Sequence, residues 1–342
     1  MPARHRGLGS PSVAGVGALR YRRGEMSSES GSISRAALRE MLVEALLPPA
    51  EVDARFARAT DRAYWSRLCP MLTLEGAAAP ETRGGALAPP DSLARLARDG
   101  WLRSEPFFAK SAVGPIVAGI EALARDGWPP VFVFLFDDVW QMMRHPAMVE
   151  LFAEVLGGDL VQLPFLWCHR VAAQRGASGW RPHADKADKA GGLTVWLPLT
   201  DATLENGCMV MLPRGAVAQE VQDRFLAGAQ LSHMEVMTLL QGAHAVPASA
   251  GAVLAWDAAT IHWGGRCVEA TTPRISLAFS FASRPVDAVA VPECWGGFTD
   301  ARGAAPSFEE RLRSVGTALR RYWSEEPLIH RWDPLAKRLE KS

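Results

Sequence analysis

Between residues 159 and 285 the chain is divided by Gly, Pro and Asn into short apolar stretches. These are LVQLPFLWCHRVA, LTVWLPLT, CMVML, AVLAWD and RISLAFSFA. Short strands separated by turns build a sandwich or barrel rather than a βαβ array. What precedes them reads as helical. Ser34 can cap AALREMLVEALL, which Pro48-Pro49 ends, and EVDARFARATDRAYWSRL repeats its apolar residues at three- and four-residue spacing. Asp91 can cap a helix to Arg98, and Pro115–Arg125 and the segment after Pro146 are further helices. VFVFLF at 131–136, between Pro129-Pro130 and Asp137-Asp138, reads as a buried strand. Ser307 to Trp323 is helical again, with Trp332 expected to pack on the barrel. The expected organisation is an unfolded extension over 1–30, with Met26 as an alternative start. One domain follows over 31–342: a helical part at 31–158, a β core at 159–285 and a helical tail at 300–342.

Bulk composition narrows the partners. Lys+Arg and Asp+Glu both total 37, so no global field attracts nucleic acid or an anionic membrane. No apolar run approaches the roughly 18 residues of a membrane span. The five cysteines (Cys69, Cys168, Cys208, Cys267, Cys294) are odd in number and lack CxxC spacing, which indicates neither a disulfide framework nor a zinc site. The expectation is a cytoplasmic protein with a small-molecule substrate; the oligomeric state is not read from the sequence.

The chemistry concentrates in GWRPHADKADKAGG and AWDAATIHWGGRCVEATTPRISLAFSFASR. In a strand, residues i and i+2 share a side, so His183 and Asp185 present an imidazole and a carboxylate together. Two His plus one carboxylate, with open positions, suits non-haem iron(II). An HxD pair alone is weak, because it occurs by chance in many proteins. His262, 77 residues after Asp185, is the candidate third ligand. Arg274 follows, after Gly264-Gly265 and Pro273 have allowed the chain to return as a neighbouring strand. On that strand Arg274, Ser276, Ala278 and Ser280 share one face and Ile275, Leu277, Phe279 and Phe281 the other. The small, polar face suits a narrow cavity, and an arginine fork grips a carboxylate bidentately.

Taken together, HAD at 183–185, LTVWLPLTDATLENGCMVMLPRG at 193–215, GAVLAWDAATIHWGG at 251–265 and PRISLAF at 273–279 resemble the phytanoyl-CoA dioxygenase family of iron(II)/2-oxoglutarate oxygenases. The resemblance covers roughly residues 91–285. It implies a mainly β fold with helical elaboration, a double-stranded β-helix (jelly roll, cupin-like) barrel flanked by helices. It further implies that His183, Asp185 and His262 bind Fe(II) and that Arg274 holds the far carboxylate of 2-oxoglutarate. Trp196 and Ser276 match a tryptophan and a hydroxyl beside that cosubstrate in relatives. The activity implied is dioxygen-dependent hydroxylation of a C–H bond, with release of succinate and carbon dioxide. Related halogenases replace the metal-binding carboxylate by a small residue; the intact Asp185 favours hydroxylation.

Two other function classes use the same residues: a non-catalytic jelly-roll binding protein, and a zinc hydrolase, which leaves Arg274 unexplained. His169, His233 and His244 read as polar structure, and Asn206-Gly207 as a turn. Lys186, Asp188 and Lys189 read as a solvated loop, with a substrate lid as the alternative, and Trp140, Met142 and Met143 as core.

Overall fold

Pro164 and the alternation of side chains along RISLAFSFA together shape the larger of two sheets. The computed structural model describes residues 46–84, 86–88, 90–185, 192–283, 299–323 and 325–342. Among these, the strands are β1 (Trp101–Arg103), β2 (Leu160–Val171), β3 (Gly192–Pro198), β4 (Met209–Met211), β5 (His244–Val246), β6 (Leu254–Asp257), β7 (His262–Gly264), β8 (Arg274–Ser283) and β9 (Thr299–Asp300). They form an antiparallel sheet in the order β1-β6-β3-β8-β2-β9 and a smaller one in the order β5-β4-β7. The register of β2 against β8 shifts between Leu163 and Leu166, where Pro164 has no N–H to give to the ladder.

Each sheet sorts its side chains by parity. Trp196, Leu254 and Trp256 from the larger sheet pack against Met209, Met211 and Val246 from the smaller one, so the two sheets face each other as a jelly-roll sandwich. The opposite parity of the larger sheet, including Val195, Leu197, Ile275, Leu277, Phe279 and Phe281, packs into the helical layer. This is the division expected for β8. Behind the small sheet, Leu212, Ile261 and Trp263 meet Val221, Phe225 and Leu239 of the helices Gln219–Leu226 and His233–Gly242.

The part expected to be helical, 31–158, contributes one strand, β1, to the edge of the larger sheet, and it differs from expectation in other places too. VFVFLF is not a strand; Pro130–Leu135 is a 3-10 helix. A run that is apolar on every side carries no period to separate strand from helix, and all of Val131–Leu135 is buried. Side chains satisfy its carbonyls: Trp140 Nε1 donates to Phe134 O at 2.7 Å and Arg311 Nη1 to Leu135 O at 3.2 Å. The segment from Glu51 to Leu68 is two helices, Pro49–Ala59 and Arg62–Leu68, because Asp61 leaves helical geometry to cap the second through Ala63 N. Trp332 stacks on Trp128 at 5.7 Å within the helical layer rather than on the barrel. The helix expected after Ser34, the extension 1–30 and Cys294 lie outside the described residues. No helix among the described residues is long and apolar enough to cross a membrane.

A buried ion pair ties this layer together. Arg311, on the helix Phe308–Arg321, donates to Asp137 Oδ1 at 2.8 Å, Leu74 O at 2.9 Å and Pro306 O at 2.7 Å. Both partners are at most 4% exposed. Removing one member of such a pair leaves the other charged and buried, which costs about 3–5 kcal/mol. Arg311→Leu is expected to lower the free energy of urea unfolding by about that amount, whereas an exposed change such as Arg67→Leu should shift it by about 0.5 kcal/mol or less.

Candidate metal and carboxylate site

His183 and His262 are joined through their backbones before their side chains meet. The His183 N–H donates to His262 O at 3.0 Å and the His262 N–H to His183 O at 2.9 Å, a one-residue antiparallel bridge. His262 begins β7, but His183 and Asp185 are not part of a regular strand as expected. Pro182 offers no N–H to continue a ladder, and Asp185 sits at a bend. The bridge still brings the imidazole centroids to 4.4 Å.

The tautomers follow from the backbone. His183 Nδ1 lies 2.7 Å from Arg181 O and His262 Nδ1 lies 2.9 Å from Thr260 O. A carbonyl only accepts, so each Nδ1 carries the proton and each Nε2 keeps its lone pair. Both Nε2 atoms lie 3.6 Å from Asp185 Oδ1. The other carboxylate oxygen accepts from Trp256 Nε1 at 2.8 Å. Ligand atoms from all three residues fall within 4.8 Å of one another. His183 Nε2 is buried without a hydrogen-bond partner, as suits an atom that completes a metal coordination sphere.

Electrostatics agree with this donor set. Burial pulls the Asp185 carboxyl up, but the neighbouring His262 and His183 imidazoles outweigh it and hold the group below the usual range. Burial pushes His262 down to about 4. His183 is also pulled down by burial, but the nearby Asp185 carboxylate leaves it net raised.

Arg274 lies in the same cavity, 2% exposed. Among the described residues no carboxylate lies within ion-pair distance of it, and its Nε has no partner. Burial lowers it to about 10, so it stays cationic at neutral pH. Its Nη1 donates to Met209 Sδ at 3.6 Å. Glycines make the room: a Cβ on Gly179 or Gly264 would stand 2.6 or 2.8 Å from Nη2. Trp196 lines the cavity with its ring centroid 5.9 Å from the guanidinium carbon, and its indole N–H is buried without a partner. Ser276 lies two residues along β8 with its hydroxyl also unpartnered, but it does not line the cavity.

The sequence reading missed several lining residues. His169, opposite Ser276 on β2, faces the cavity, where burial and the nearby Arg274 charge push it down to about 3. Its two-residue step from Trp167 on a strand paired with β8 was the available signal. Trp180, Tyr322, Thr194 and Trp256 line the cavity as well. Aromatic rings and polar groups thus alternate around its lining. His233 and His244 are not among its lining residues. Lys186, Asp188 and Lys189 lie outside the described residues.

The phytanoyl-CoA dioxygenase (PhyH) sequence profile matches residues 41–268, beginning earlier than the sequence reading and stopping before Arg274. Among curated proteins the chain is similar to an L-proline trans-4-hydroxylase from Streptomyces griseoviridis, 26% identical over 163 residues. That match spans 42% of this chain and 61% of the hydroxylase. Among solved structures it is similar to the epimerase SnoN in complex with Fe3+, alpha ketoglutarate and nogalamycin RO (TM-score 0.46, 21% identity, 56% of this chain and 82% of that one). It is similar too to the non-heme monooxygenase ThoJ (TM-score 0.46, 17% identity, 72% of this chain and all of that one).

Two outcomes follow from the geometry. Trp256→Phe removes the hydrogen bond that orients Asp185 and should weaken cobalt(II) or anaerobic iron(II) binding about 10–100-fold with the fold intact by circular dichroism. Only neutral imidazole binds metal, and His183 is raised while His262 is already neutral above about 4. Between pH 5 and 6.5 the metal affinity should therefore fall by about tenfold per unit of acidification, the signature of one competing proton. A slope near two would contradict the assignment.

Proposed function

The chain belongs to the phytanoyl-CoA dioxygenase family, and from that premise we propose that it is an iron(II)- and 2-oxoglutarate-dependent dioxygenase. It would hydroxylate a C–H bond of a small molecule, releasing succinate and carbon dioxide, with residues 31–342 as a single dioxygenase domain. The observation that carries the reading is one cavity holding both halves of the requirement. His183 Nε2, His262 Nε2 and Asp185 Oδ1 converge at one place, and a buried arginine without a described acid partner lies at another.

Iron(II), when bound, supplies the redox chemistry that activates dioxygen at the expense of 2-oxoglutarate. This chain's residues do the rest. His183, Asp185 and His262 would hold the metal, leaving positions open for cosubstrates. Arg274 would grip the far carboxylate through its planar fork, neutralising a charge that would otherwise be buried alone. Trp196 flanks that end and would offer its unpartnered N–H, whereas Ser276, two residues along β8, lies outside the lining. Indole and phenyl walls limit water and so protect the oxidising equivalent from waste. Trp256 keeps Asp185 turned to the metal position.

Anaerobic addition of iron(II) and then 2-oxoglutarate should produce a weak visible metal-to-ligand charge-transfer band. Asp185→Ala should abolish it. Arg274→Ala should raise the 2-oxoglutarate concentration for half-formation by about 30-fold or more, consistent with about 2–5 kcal/mol for truncating a buried charge-pair partner. Iron binding without any band on adding 2-oxoglutarate would overturn the proposal.

A further inference from the structure

The cavity has an aromatic wall that the metal and Arg274 do not use. Trp167 from β2, Trp180 from the segment before His183, and Tyr322 all line it. Their centroids are 5.1 Å apart for Trp167–Tyr322, 4.9 Å for Trp180–Tyr322 and 5.9 Å for Trp167–Trp180. Arg274 is hemmed by Gly179, Gly264, Met209 and Trp196. The wall instead abuts the metal position: Trp180 lies 5.8 Å from the His183 ring, and the charge of Asp185 is felt at the Tyr322 hydroxyl.

Tyr322 arrives from far along the chain and is fixed there. It caps the helix Phe308–Arg321, its N–H donating to Ala318 O. Its carbonyl accepts from the N–H groups of Glu325 and Glu326 at 3.1 and 2.9 Å. Glu326 then accepts from Trp180 Nε1 at 3.2 Å, and Glu325 from Arg181 at 3.3 Å. This latch seats Tyr322 against Trp180. Trp180 and Tyr322 are only half-buried and both line the cavity, with the Arg321 guanidinium 5.7 Å from the Tyr322 ring centroid. Trp167 adds a buried indole N–H without a partner, a donor for an acceptor oxygen on that ligand. Burial pushes the Tyr322 hydroxyl up to about 12, so it keeps its proton at any working pH.

We propose that Trp167, Trp180 and Tyr322 form the substrate-stacking face of the site, with Tyr322 specificity-determining, and that the substrate is an oxygen-bearing flat ring compound. The inference rests on the oxygenase reading above, because only there does the Arg274 end belong to the cosubstrate. Flat rings lie on indole and phenol faces at offset-stacking distance, whereas a flexible chain gains less contact and loses more rotational freedom.

Equilibrium dialysis of the iron(II)/2-oxoglutarate-loaded protein, kept anaerobic, tests this with 2-naphthol as the ring probe and decanoate as the chain probe. The wild type should bind 2-naphthol more tightly than decanoate. Tyr322→Leu should weaken 2-naphthol about three- to tenfold, the size of one ring–ring contact, with decanoate changed less than twofold. Tyr322→Phe should restore the ring preference. A distorted site would weaken both probes together and leave Tyr322→Phe as poor as Tyr322→Leu, which would overturn the proposal. So would equal binding of the two probes by the wild type. The charge-transfer band of the wild type, recorded in the same samples, separates this failure from failure of the oxygenase reading: a band with no ring preference sinks only the substrate class.

Discussion

Two backbone hydrogen bonds, exchanged between His183 and His262, are the constraint on which the site depends. They join a segment that belongs to no sheet to the edge strand of the smaller sheet. That pairing settles the distance between the two imidazoles. The carbonyls of Arg181 and Thr260 then settle their tautomers. The same segment is anchored further by Ser178 bridging Arg266 and by Trp256 Nε1 donating to Asp185. With the His183–His262 bridge in place, three donor atoms lie within 4.8 Å of one another, so little ordering would be left to oppose binding of a metal there.

The larger sheet supplies the rigid floor beneath. Because β8 is paired on both sides, by β2 and β3, its parity is firmly held, and a slip of one residue would exchange Arg274 for Ile275 in the cavity. The helical layer stabilises this choice by burying Ile275, Leu277, Phe279 and Phe281 against the layer organised around Arg311 and Asp137. Packing on one face of the sheet therefore positions a charge on the other. Arg274 itself gains little from the fold: burial disfavours its charge, and among the described residues no carboxylate lies within ion-pair distance to offset it.

Much of this was legible in the sequence, for identifiable reasons. The strands of the β core and the two faces of β8 follow from a strict period of two, which few competing interactions disturb. The candidate metal ligands His183, Asp185 and His262 and the cavity arginine Arg274 stood out because rare residue types occur in a recognisable order, and the fold brings them into one cavity. VFVFLF was misread because burial on all sides erases periodicity, and only the distant Arg311 and Trp140 side chains reveal how its carbonyls are satisfied. Trp180 and Tyr322 were invisible for a similar reason. The Trp180–Glu326 contact spans 146 residues of chain, and no local pattern encodes it. His169 lay between these cases, readable by parity on β2 once its pairing with β8 is known.

Iron would sit among His183, Asp185 and His262, with 2-oxoglutarate pointing to Arg274. Anomalous diffraction at the iron edge, from crystals grown anaerobically with iron(II) and 2-oxoglutarate, tests that most directly. The expected result is one peak within bonding distance of His183 Nε2, His262 Nε2 and Asp185, with cosubstrate density running from it to the Arg274 guanidinium. A peak elsewhere, or a cosubstrate that leaves Arg274 unpaired, would contradict it.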